Sequence, residues 1–200
     1  MASTPTIAAR ATRLARKSVL RSRDFEAHGV SRVALSRLVA EGTLERLGRG
    51  LYTVPRGKVT EHRTLVEASV RVPKGVVCLL SALQFHKLST QSPHEVWLAI
   101  DVKARKPVVD WPPIRIVRFS GPALTHGVDA HTLEGVEVHI TSAAKTVADC
   151  FKYRNKIGLD VALEALTEYR RKRGSVDALM KAAAVDRVAV VLRPYLEAIS

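Results

Sequence analysis

Arg32, Val33, Ser36 and Arg37 fall on one side of the segment RVALSRLVAE, whose other side carries Leu35, Leu38 and Val39. The i, i+3, i+4 spacing of the three apolar residues gives a helix one buried face, shared with Val30 from the preceding turn. The opposite side can then address DNA. Arg32 and Arg37 can each place two N–H donors on guanine O6 and N7, Val33 can pack on a thymine methyl, and Ser31 or Ser36 can reach phosphate. Just downstream, TLERLGRGLYTVP reads as a hairpin turning around Gly48 to Gly50 and carrying Arg46 and Arg49. Such a tip would lie along the neighbouring backbone or minor groove, with Arg49 the better placed for insertion.

Other residues suggest other chemistry. In HEVWLAIDVKAR, a strand ends in Asp101-Val102-Lys103, the acid-x-Lys arrangement of many metal-dependent nucleases. That chemistry needs a second carboxylate on an upstream strand. The chain has no Asp between residues 25 and 100, and Glu61, Glu67 and Glu95 are the only acids after the hairpin in that interval. A nuclease is therefore kept only as an alternative. The seven histidines include no i, i+4 pair with a nearby Glu, and neither a phosphate-cradling Gly-rich loop nor a G-x-S-x-G elbow occurs. The expectation is no enzyme activity, no cofactor and no metal. In the segment 142 to 154, Ala144, Val147, Ala148 and Phe151 share one face, with Lys145, Lys152 and Arg154 outside it. Lys145, with Tyr153, Arg154 and Asn155, forms a second candidate set, for RNA or an antitoxin contact. The run Arg170 to Arg173 reads more simply as a solvated helix end.

The elements that must position these residues follow from caps and breakers. The chain has 200 residues, 46% hydrophobic, and a net charge of +13, which favours a folded protein with an anionic partner. Residues 1 to 58 hold 12 Lys/Arg against 4 Asp/Glu, so the excess is concentrated at the N-terminus. A first basic helix is expected over Ala8 to Leu20, with Arg10, Arg13, Arg16 and Lys17 off its apolar face. Ser22 would cap a second, RDFEAH, ended by Gly29, and Ser31 would cap a third, ended by Gly42. The short turn between the last two is that of a helix-turn-helix. Beyond Pro55 come helices over 60 to 71 and around CLLSALQFHKL. Strands follow at 94 to 100, 114 to 120 and 136 to 140, then helices from Ser142 onward with breaks near Gly158 and Gly174. The fold expected is α+β: a winged helix-turn-helix over 1–57, then a mixed α/β domain over 58–200 with a small sheet and C-terminal helices. Cys78 and Cys150 read as buried thiols. No apolar run spans a bilayer and no secretory signal opens the chain, so the cytoplasm is the expected address.

The stretch ITSAAKTVADCFKYRNKIGLDVALEAL, residues 140 to 166, resembles the C-terminal domain of the AbiEi family. SALQFHKL and HEVWLAI stand where members of that family have similar segments, and Val30-Ser31 after Gly29 looks like a helix-turn-helix turn. Lys145 to Leu166 is the most specific part of the likeness. Phe25 departs from the general pattern, which has a small residue there, and implies looser packing between the two helices. The resemblance implies an antitoxin of a type IV toxin-antitoxin system. Such a protein represses its own operon by binding inverted repeats in double-stranded DNA, and counters a nucleotidyltransferase toxin without a stable complex. It would act as a monomer or weak dimer, with two copies on the operator and no membrane partner. An RNA-binding module using the same basic face remains a further alternative.

Overall fold

A computed structural model describes residues 5–16, 19–55 and 60–199. The architecture is mixed α/β, consistent with the α+β class. Lys17 and the boundary placed at 57/58 lie outside the described residues. The first part runs α1 (Ile7–Ala15), β1 (Leu20–Arg21), α2 (Ser22–Glu26), α3 (Arg32–Ala40), β2 (Glu45–Gly48) and β3 (Leu51–Thr53). Two boundaries differ from expectation. The first helix stops at Ala15, because Leu20 and Arg21 leave it to pair antiparallel with Tyr52 and Leu51. Ser22 is the first residue of α2 rather than its cap; the Asp24 carboxylate instead accepts the Arg21 backbone N–H at 2.8 Å.

The turn between α2 and α3 closes as its residues dictate. Gly29, at φ +75°, lets the chain turn left-handed, and the Val30 N–H then donates to Phe25 O at 3.0 Å. Ser31 caps α3, its hydroxyl accepting from Ala34 N. Ala11, Ala15, Phe25, Val30, Leu35, Leu38, Leu44 and Tyr52 form one core. Phe25 does not loosen it. Its ring is fully buried, edge-on to Tyr52 at 6.0 Å, so a residue of β3 supplies the surface that a larger side chain needs.

The second part contains α4 (Arg63–Arg71), β4 (Val76–Val77), α5 (Leu79–His86), β5 (Val96–Asp101), β6 (Ile114–Phe119) and α6 (Pro122–Thr125). It continues with β7 (Val128–Leu133), β8 (Val136–Thr141), α7 (Ala143–Lys152), α8 (Arg154–Ile157), α9 (Leu159–Arg171), α10 (Val176–Val185) and α11 (Ala189–Ala198). Among the described residues the strand order is β6-β5-β4-β8-β7, parallel at β5/β6 and β4/β8 and antiparallel elsewhere. The period-2 alternation of β5 divides the core. Val96, Leu98 and Ile100 face α4, while Trp97 and Ala99 face the layer of α5, α7 and the C-terminal helices.

Val19 and Leu51, from the first part, belong to the same core cluster as Leu65, Val66 and Leu98. Polar contacts join the two parts as well. Arg21 donates to the carbonyl of Val70. Arg63, only 11% exposed at its side chain, meets Glu67 at 3.3 Å, Glu134 at 3.1 Å and Glu45 of β2 at 3.5 Å. Three carboxylates around one guanidinium satisfy its fork of donors and tie the hairpin to α4 and the β7–β8 turn.

Candidate nucleic-acid interface

Packing on one side of α3 leaves the other side in solvent. Ala34, Leu35 and Leu38 are buried, while Arg32, Val33, Ser36 and Arg37 are exposed, Val33 at 81%. Its methyl groups are therefore free to make a contact outside the chain. Both arginines rest on carboxylates: Arg32 Nε lies 2.7 Å from Glu26, and Arg37 lies 3.5 Å from Glu41 one turn on. Such exposed pairs are worth about 0–1 kcal/mol, so a phosphate or guanine can displace them at small cost.

Arg32 and Arg49 line one open cleft of about 360 Å³ together with Arg21, Arg23 and Arg71. Ser22, Gly50, Leu51, Val70 and the pair Val108–Val109 complete it. Five guanidiniums on one concavity raise the local potential for anions. Arg21 is held below the ordinary arginine range by burial first and then by Arg23, with Asp24 opposing and Arg71 adding a smaller push. It remains a cation at any physiological pH. Gly50, at φ +73°, turns the chain beside Arg49. Gly48 makes room for Arg71, since a Cβ there would lie 2.0 Å from the Arg71 guanidinium. Arg46 is exposed but does not line the cleft; its Nε donates to Gly48 O at 3.2 Å within the hairpin. Ser36 and Arg37 also lie outside it, further along α3.

Sequence reasoning missed Arg21, Arg23 and Arg71. The first two carried a signal, an Arg-Ser-Arg run at the start of α2. Arg71 carried none, because it comes from α4 and reaches the cleft only through tertiary packing.

The second candidate set does not hold together. Lys145 is fully buried, not on an outer face: it donates to Asp149 and, at 3.1 Å, to Asp186, with Nζ 4.8 Å from the Phe119 ring centroid. The whole of α7 from Ala144 to Phe151 is covered, by α5, α9, α10 and α11, so this helix has no outer face there. Burial pushes Asp149 well above the usual carboxylate range, with Lys145 opposing and Asp186 adding to it. Arg154 folds back to the carbonyl of Phe151 at 2.8 Å, and Asn155 is exposed. Tyr153 stacks on Phe119 at 5.6 Å and donates to Arg118 O at 3.0 Å, and burial raises its hydroxyl to about 12. The basic run near 170 is largely occupied with the protein itself: Arg170 donates to Gly174 O, Arg171 to Glu168, and Lys172 to the carbonyls of His86 and Lys87 at the end of α5.

The Asp101 carboxylate accepts the Lys103 backbone N–H at 2.8 Å, closing a turn. Its neighbour strand β6 carries no acid, and among the described residues no group of three His, Cys, Asp or Glu is placed to hold a metal ion. Cys78 and Cys150 are buried free thiols, and burial pushes both well above the ordinary range. Among the described residues no helix is long and apolar enough to cross a membrane.

Residues 10–55 match the model of a family described as transcriptional regulator, AbiEi antitoxin. The match thus falls on the segment from α1 to β3, not on Lys145 to Leu166, the part of the sequence with the most specific resemblance. No curated protein sequence matches the chain. Among solved structures, the crystal structure of the Rv2827c protein from Mycobacterium tuberculosis is similar in fold, with a TM-score of 0.62 at 14% identity, covering 98% of this chain and 82% of that one.

Proposed function

We propose that this protein is a DNA-binding transcriptional autorepressor and the antitoxin of a type IV toxin-antitoxin system. In this reading residues 1–57 are a winged helix-turn-helix and 58–200 a mixed α/β antitoxin-type domain. The observation that carries the DNA-binding part is the convergence of Arg21, Arg23, Arg32, Arg49 and Arg71 on one cleft beside the bare N-terminal turn of α3. α3 enters the major groove of an inverted-repeat operator. Arg32, Val33 and Arg37 meet base edges there, and Ser31 and Ser36 meet phosphate. Arg49, Arg46 and the cleft arginines follow the adjoining backbone. Two copies occupy the two half-sites. The antitoxin role, against a nucleotidyltransferase toxin and without a stable complex, is supported by the family match over residues 10–55.

A gel-shift titration of the full chain against its own upstream DNA tests the reading, with scrambled DNA and RNA of equal length as competitors at fixed salt. Saturable binding that only the upstream sequence competes away is the expected result. Equal competition by all three would reduce the cleft to a general electrostatic surface, and cleavage dependent on Mg²⁺ would return attention to Asp101 and Lys103. For the antitoxin role, co-expression with the neighbouring nucleotidyltransferase should restore growth. Persistent growth arrest would end that part alone.

A further inference from the structure

Among the described residues β6 is an edge strand, paired with β5 alone. Two of its backbone bonds fix which groups face outward. The carbonyls of Pro113 and Phe119 accept from Val96 and Val102, on the β5 side. Strand groups alternate, so the odd-numbered residues point to β5, and the N–H and C=O of Ile114, Ile116 and Arg118 point away from the sheet. The Arg118 carbonyl is capped by the Tyr153 hydroxyl. Among the described residues nothing pairs with the N–H or C=O of Ile116. Those groups open on a cleft of about 400 Å³ lined by Trp97, Arg115, Val117, Arg118, Tyr153 and Lys156.

We infer that this cleft is a docking site for an extended acidic peptide of a partner protein, which adds to β6 as a further strand. The unpaired edge supplies main-chain hydrogen bonds, and Lys156 with Arg115, the latter beside Glu95, supplies the charge preference, while Arg118 is turned back onto the carbonyls of Asp101 and Val102. A nucleic acid fits the same cations less well. The Trp97 ring is covered by the Arg115 guanidinium at 5.1 Å, and Tyr153 is already stacked on Phe119 with Lys156 over it at 5.5 Å, so no aromatic face is open to a base. A second copy of the chain, paired through β6, would bring its own Arg115 and Lys156 to the same seam, like charge against like. The inference is independent of whether α3 reads DNA.

The test titrates the full chain with the fluorescein-labelled hexapeptide Glu-Val-Asp-Val-Glu-Val and its Lys-for-acid counterpart, following anisotropy and the exchange of the Ile116 amide. Expected are saturable binding of the acidic peptide alone, slowed exchange at Ile116, and loss of about tenfold or more in affinity in Lys156→Glu and in Ile116→Pro. Proline at 116 leaves the β5 ladder whole, since the N–H it removes faces outward. Lys156→Glu, at an exposed position, keeps the test valid should the proline variant fail to fold. No binding, equal binding of both peptides, or affinity unchanged in both variants would overturn the proposal. So would displacement by a single-stranded RNA hexamer, or a dimer of the free chain that Ile116→Pro abolishes.

Discussion

Two helices of this chain begin in the same way and end in opposite roles. α3 and α7 each follow a serine whose hydroxyl accepts the backbone N–H three residues on, Ser31 from Ala34 and Ser142 from Lys145, and each carries a cation in its first turn. α3 is packed on one side, and Arg32 projects into solvent beside a single glutamate. α7 is packed on all sides, and Lys145 is enclosed between two aspartates. The local rules that start a helix say nothing about how much of its circumference the fold will cover. The same residue class serves binding where coverage is partial and folding where it is complete.

Removing each cation should separate the roles, and the largest effect belongs to the buried one. Lys145→Ala leaves the buried Asp149 without its cation and Asp186 with Lys152 alone, at 3.9 Å, and should cost roughly 3–5 kcal/mol of stability in urea unfolding. A loss as small as that of a surface substitution would mean that water reaches the pair, and the contrast would fail. Arg32→Ala should do the reverse. Unfolding should shift by no more than about 0.5 kcal/mol, while operator affinity falls by about 1–3 kcal/mol with specificity relaxed at one base pair. Arg71→Ala sharpens the division within the cleft itself. A guanidinium that meets phosphate should weaken binding to all sequences alike and lower the salt slope of log K by about one. A sequence-dependent loss would instead place it on a base edge.

The same contrast explains what could be read beforehand. α3 was legible because cap, stop and one-sided apolar spacing all lie within a dozen residues of Ser31, so its solvent face, and with it Arg32, Val33, Ser36 and Arg37, followed from local sequence. Lys145 was misplaced because its second partner, Asp186, lies 41 residues away and the helices that cover it come from three later and one earlier segment. β1 was missed since two residues, Leu20 and Arg21, become a strand only through pairing with β3. β7 was missed since VDAHTL alternates without a strongly buried face. Charge content located the basic region; only packing selected which arginines share a cleft.

The smallest predicted effect lies in a carboxylate. Glu26→Gln releases Arg32 from its intramolecular partner and should tighten operator binding by less than about 1 kcal/mol, read by the same gel-shift titration. Weaker binding would show that Glu26 orients Arg32 toward the bases rather than competing with them.

Arg63 holds Glu45 of the hairpin, Glu67 of α4 and Glu134 of the β7–β8 turn at once. An operator bound by this chain would therefore meet one stiff template, in which the distance and rotation between the groove under α3 and the phosphates under Arg71 are set before contact. Its half-site would have a required length as well as a required sequence. One base pair inserted between those two footprints would turn the second out of phase by roughly a tenth of a helical turn, and following it would mean breaking the contacts of Arg63.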